Sequence, residues 1–175
     1  MSIDIITATI IVLSLVSCQN SQVTPDNMKK PGKKEMTDLN RYLVQKDREI
    51  IQNYIERKNL KMTESATGLW YYIKNEGSGD FLRDNDRISM NYECSLLDGT
   101  ECYSSSALGP REVILGRTTI EPGMNEALRL LKSGAEAIFI LPPFLAYGMV
   151  GDGKMIPPRS IIVYSVRIKK EKKLE

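Results

Sequence analysis

The chain contains no histidine. That removes the side chain most often used as a general base near neutral pH and the most common metal ligand. Neither a Ser-His or Cys-His nucleophile nor a His-based metal centre can therefore be built here. Long apolar runs are also missing: 42% of the 175 residues are hydrophobic, enough for one ordinary core, but nothing in the chain suggests a polytopic membrane protein. Charge of one sign is not in excess either. The formal net charge is +2, and Lys and Arg are scattered except at two Lys-rich edges, which leaves no electrostatic footprint for nucleic acid. Trp70 is the single tryptophan, and the cysteines are Cys18, Cys94 and Cys102. Neither a metal nor a cofactor is expected, so any chemistry must be done by shape and by neutral or carboxylate groups.

What is present at the N-terminus is an apolar run from Ile5 to Val16, too short for a comfortable membrane span and of the length of a secretory core segment. Leu15-Val16-Ser17-Cys18 closes it and resembles a bacterial lipobox, in which the cysteine is acylated and becomes the first residue of the mature chain. Each buried methylene of such an anchor contributes roughly 0.8 kcal/mol to membrane binding. The start departs from the pattern, since residues 1–4 carry Asp4 and no Lys or Arg. A short buried N-terminal strand or helix is the alternative. The lipobox reading makes residues 1–17 a signal peptide, Cys18 the lipidation site, and the protein a membrane-anchored lipoprotein of the cell envelope, on its periplasmic or outer-membrane face. Residues 18–36, polar and holding Pro25, Pro31, Gly32 and four lysines, have no apolar period and read as a flexible tether.

Residues 37–60 carry a helical pattern. Thr37 is placed to cap it, Asp38 lies in its first turn, and Leu39, Tyr42, Leu43, Ile50, Ile51, Tyr54 and Ile55 fall largely on one face. This amphipathic helix either packs on its own domain or serves as a homodimerisation arm. Strand signals then dominate: Leu69 to Ile73, alternation through Ile88, Met90 and Tyr92, a turn at Asp98-Gly99 before Glu101 to Ser104, and Val113 to Gly116. Pro122 opens a helix through Leu131, and strands follow at Ala135 to Leu141 and Ser160 to Ile168. The fold class is α+β, an antiparallel sheet wrapped on one short helix with an N-terminal amphipathic helix. One sheet face is expected to be buried and the other wet.

Three motifs in order, Glu121-Pro122-Gly123-Met124, Ala146-Tyr147-Gly148 and Ile156-Pro157-Pro158, resemble an FKBP-type peptidyl-prolyl isomerase domain over residues 67–170. The tyrosine-bearing hairpin and the lipobox together are similar to the gliding-motility-associated FKBP lipoproteins of Bacteroidetes. The resemblance implies a shallow apolar pocket for a proline ring. It makes Tyr92, Tyr103 and Tyr147 catalytic, Tyr147 by donating from its hydroxyl to a substrate carbonyl. Substrate-binding positions are Cys102, Val113, Ile120, Glu121 through its backbone N–H, Met124 as the pocket floor, Ile156 and Tyr164. The family's usual aspartate is absent. Tyr103 stands in its place if the hairpin keeps its length, whereas a one-residue slip puts Tyr103 on the aromatic position and Ser104 on the acidic one.

The implied function is prolyl isomerisation in the folding of exported, Pro-containing polypeptides, slow or selective because the acid is missing. The alternative is a non-catalytic module that binds Pro-containing segments. The reaction suits a chain without histidine, because rotating the X-Pro bond across a barrier of ~18–20 kcal/mol needs no nucleophile, only a site that fits the twisted amide better than the planar one. Cys94 and Cys102 flank the hairpin. A two-residue loop turns their thiols to opposite faces, and a bulged loop brings them to one, where a disulfide or two buried free thiols are the outcomes.

Overall fold

The structure, a computed structural model, describes residues 32–171. Helix α1 runs Lys33–Lys58, starting earlier than the Thr37 cap expected from sequence. The reason is local: Glu35 reaches back to accept from the Gly32 N–H at 2.8 Å, half of a capping box. Its end is as expected. Asn59 enters the left-handed region at φ 51°, and the Leu60 N–H donates to the Ile55 carbonyl at 3.0 Å, which absorbs a carbonyl the helix leaves orphaned.

Strands β1 (Thr63–Glu64), β2 (Trp70–Asn75), β4 (Arg87–Leu96), β5 (Glu101–Ser104), β6 (Arg111–Ile114), β8 (Glu136–Leu141) and β9 (Ile162–Lys170) make one antiparallel sheet. Its order is β1-β2-β8-β9-β4-β5, with β6 pairing the N-terminal half of β4. A small second ladder joins β3 (Ser78–Phe81) to β7 (Lys132–Ser133), and one helical turn, α2 (Ser105–Leu108), follows β5. Helix α3 (Pro122–Arg129) lies on the inner face, where Met124, Ala127 and Leu128 are buried with Ile88, Met90, Phe139, Tyr164 and Val166 of the sheet. Gly123 permits this approach, since a Cβ there would come within 2.9 Å of the Leu141 side chain and of the Leu145 carbonyl.

The other sheet face is not left to water. Ile51 of α1 is fully buried against Trp70, Ile140 and Ile161, with Tyr54 and Ile55 beside it. The expected apolar stripe is therefore split: Leu39, Tyr42 and Ile50 stay exposed, while Ile51 enters a core of its own. A buried ion pair fastens the same helix. Asp47, 5% exposed, accepts from Arg159 at 2.6 Å, and Arg159 also donates to the Leu43 carbonyl at 3.3 Å. Sequence periodicity cannot show this pairing, because the partners are 112 positions apart.

Replacing Asp47 by Ala is expected to cost about 2 kcal/mol, below the 3–5 of a fully buried pair, since the partly exposed Arg159 recovers some hydration. Urea denaturation measures the loss, and amide exchange in α1 should rise with it.

The hairpin between β4 and β5 differs from the two-residue turn at Asp98-Gly99. The Leu96 N–H donates to the Thr100 carbonyl and the Gly99 N–H to the Leu96 carbonyl, which leaves three loop residues with Gly99 at φ 93°. A further bulge follows, because Cys94 pairs with Tyr103 but Ser95 pairs with Glu101, making Cys102 the extra residue. Both thiols thus reach the inner core, and both are free. Burial pushes the Cys94 thiol up to about 12 and raises that of Cys102, so neither is a reactive thiolate at neutral pH.

Candidate active site

The strand alternation sets the inner face. Tyr92 follows Ile88 and Met90 there, and the antiparallel register places Val113 opposite Ile88 and Arg111 opposite Met90. The bulge brings Tyr103 opposite Cys94 on the same side. From β9 comes Tyr164, 2% exposed, its ring tilted 57° to that of Tyr92 with centroids 6.3 Å apart. Met124 of α3 is fully buried in the same core, and Ile156 is 2% exposed. Cys102, Ile120 and Tyr147 pack into the same cluster. The residues that the resemblance assigned to one pocket are thus gathered on one face of the sheet.

The centre of this group is not apolar. Glu121 is the residue before the first turn of α3, yet its side chain makes no cap and turns inward instead. Its Oε1 accepts from the Tyr147 hydroxyl and, at 2.9 Å, from the Tyr164 hydroxyl. Arg111 Nη1 donates to Oε2 at 3.1 Å and to Oε1 at 3.3 Å. Burial works to raise the Glu121 pKa, but the Tyr147 hydrogen bond, the Arg111 charge and the Tyr164 hydroxyl outweigh it, and the carboxyl is held below its ordinary value. Burial and the neighbouring carboxylate push both tyrosines up, so their hydroxyls keep their protons. A hydroxyl has one proton to give, and Tyr147 gives it to Glu121.

A second link closes the rim. The Tyr103 hydroxyl donates to Asp152 Oδ2, while Asp152 Oδ1 accepts from the backbone N–H of Lys154 at 2.9 Å and of Ile156 at 2.8 Å. The Cys102 thiol donates weakly to the Met155 carbonyl at 3.7 Å. Tyr103 therefore orders the loop that carries Ile156. Replacing it with Asp would set one carboxylate against another, and a lower stability and rate are the expected result, the reverse of what restoring the family's acid suggests. Circular dichroism melting with an isomerase assay checks it.

With this geometry in view, residues 79–169 match the family model of the FKBP-type peptidyl-prolyl cis-trans isomerase. The chain belongs to that family. The FkpA isomerase of Escherichia coli (strain K12) is 32% identical over 123 residues, 70% of this chain and 44% of that protein. A probable FkpA isomerase of Neisseria meningitidis serogroup B is 38% identical over 106 residues, 61% of this chain and 39% of that protein. The chain spans less than half the length of these curated relatives. The crystal structure of FkpA from Escherichia coli superposes with a TM-score of 0.61 at 26% identity, covering 97% of this chain and 82% of that one. The crystal structure of AtFKBP13 shares the fold, with a TM-score of 0.58 at 24% identity over 61% of this chain and 95% of that one.

Two residues of this FKBP-type site were not anticipated. Arg111 had a signal, since it alternates with Val113 on a short strand and a charge on the buried face of a strand asks for a partner. Asp152 sits in Gly151-Asp152-Gly153, a turn sequence whose aspartate caps nearby N–H groups. Tyr147, expected to donate to a substrate carbonyl, here donates its hydroxyl proton to Glu121. Among the described residues no group of three or more His, Cys, Asp or Glu could hold a metal ion, and no helix is long and apolar enough to cross a membrane. A cleft of about 450 Å³ lies on the α1 side of the sheet, lined by Ile51, Trp70, Glu64 and Phe144, and includes none of the residues around Glu121.

Proposed function

We propose that this chain is a peptidyl-prolyl cis-trans isomerase that assists folding of exported proteins, acting slowly or on selected Pro-containing segments. The supporting observation is the buried Glu121 carboxylate, tied to Tyr147, Tyr164 and Arg111 in the place where the family resemblance puts a dry wall. An apolar ring entering that space meets an anion and a tyrosine whose hydroxyl is already engaged, which lowers affinity for the ring relative to an all-apolar pocket. Activity then rests on the remaining enclosure by Met124, Val113, Ile156 and the tyrosine rings. A protease-coupled assay on a prolyl tetrapeptide tests it, with a rate clearly above the uncatalysed one but well short of diffusion control expected.

The same carboxylate supports a second reading, a non-catalytic module that holds Pro-containing segments. Binding of the tetrapeptide with no rate enhancement would favour that one. The lipid anchor rests on the Leu15-Val16-Ser17-Cys18 sequence, which lies outside the described residues, as do the signal peptide and residues 18–31 of the expected tether, whose residues 33–36 instead open α1. Fatty-acid labelling of wild type compared with Cys18→Ala tests the anchor, equal labelling of both counting against it and against the membrane location. Homodimerisation through residues 37–60 is supported by the exposure of Leu39, Tyr42 and Ile50 on α1. Light scattering of the purified protein reads the mass directly.

A further inference from the structure

We propose that Arg111 is a catalytic residue, donating a guanidinium N–H to the proline nitrogen of the substrate as the X-Pro bond twists. The inference rests on the reading of this site as a prolyl isomerase. Rotation about the bond ends the amide conjugation: the carbonyl oxygen loses negative charge and the nitrogen regains a lone pair. A donor on the oxygen therefore favours the planar forms, and a donor on the nitrogen favours the twisted one. Only the second kind interacts more strongly in the transition state than in the ground state. No bond is made or broken, and no proton needs to leave the enzyme.

The donors of the site are unequally free. The Tyr147 and Tyr164 hydroxyls both give their proton to Glu121. Arg111 spends Nη1 on the same carboxylate, and its Nε and Nη2 have no hydrogen-bond partner among the described residues. Its side chain reaches solvent, 30% exposed against 3% for that of Glu121, and of the two partly buried donors, Arg111 and Tyr147, it alone keeps N–H groups unspent. Its position opposite Met90 puts it on the inner face of the sheet, beside the strand that carries Tyr92. The ion pair holds the guanidinium in one orientation before substrate arrives, so little reorganisation is left for the moment of rotation. Being always charged, it makes the stronger kind of hydrogen bond to a developing lone pair.

The test measures kcat and KM separately in the full chain, using an Ala-Leu-Pro-Phe anilide substrate, for Arg111→Gln and Arg111→Lys in the wild-type and Glu121→Gln backgrounds. Arg111→Gln should lower kcat about tenfold or more with KM little changed, the signature of an interaction made only in the transition state. The loss should persist in the Glu121→Gln background, and Arg111→Lys should recover part of it. A loss that vanishes when Glu121 is already neutral would show that Arg111 merely holds that carboxylate, and would overturn the proposal while leaving the isomerase reading intact. A rise in KM at constant kcat would overturn it equally. A wild-type protein without any rate enhancement would instead remove the isomerase reading, and this inference with it.

Discussion

Met124→Asp is expected to unfold the domain or leave it barely stable, and to abolish proline binding in whatever remains folded. Met124 is fully buried on α3, packed with Leu128 and the inner face of the sheet. An unpaired carboxylate there loses several kcal/mol of hydration, comparable to the whole stability of a small domain. The buried Glu121 carboxylate, at the position before α3, adds like charge. Met124→Leu serves as the control, since a swap that nearly conserves volume costs under about 1.5 kcal/mol. Urea unfolding followed by far-ultraviolet circular dichroism separates the two; a well-folded Met124→Asp protein with intact proline binding would mean that α3 does not form the floor.

Changing Glu121 is expected to have the next largest effect, and to move stability and ligand affinity in opposite directions. Glu121→Leu removes the acceptor of the Tyr147 and Tyr164 hydroxyls, and Tyr164 has no route to water. Leaving such groups unsatisfied costs about 1–3 kcal/mol, partly offset by the added apolar contact. An apolar proline mimetic, by contrast, should bind more tightly by tenfold or more, because the anion has gone from the space its ring enters. Isothermal titration calorimetry with a proline-mimetic macrocycle measures this gain. Unchanged affinity would show that the carboxylate lies outside the ring's path.

The same group sets a pH dependence. Its folded pKa lies below the ordinary value of 4.5, so the stability it contributes is complete above that pH and is lost as pH falls toward the folded value. Urea midpoints should therefore be level from neutrality to about pH 4.5 and decline below it. Glu121→Gln should flatten part of that decline. Asp152 contributes to the rest: burial tends to raise its pKa, but the Tyr103 hydroxyl and the Lys154 and Ile156 N–H groups hold it below its usual value.

Much of this was legible along the chain because it is local. Alternation in Ile88-Ser89-Met90-Asn91-Tyr92 and in Ile162 to Ile168 determines which side chains face the core, since side chains of a strand point alternately to its two faces. Pro122 at the start of α3 and Asn59 at the end of α1 mark helix limits by backbone chemistry alone. The order of the Pro-Gly, Tyr-Gly and Pro-Pro motifs pointed to the family, and residues 79–169 bear that out. Tertiary structure alone decided the rest. A hydrophobic stripe says that α1 must bury something, not which residue; only the outer face formed by Trp70, Ile140 and Ile161 selects Ile51 and leaves Leu39, Tyr42 and Ile50 in water. One bulged residue, Cys102, sends both thiols to the same core, and register depends on ladder hydrogen bonds that composition does not encode. Glu121 drew notice in the sequence only for its backbone N–H, yet its side chain is buried because three donors, from a strand start, a loop and a distant strand, converge on it. The free energy of an ionised side chain depends on what surrounds it in space, and that environment is assembled only when the sheet closes on α3.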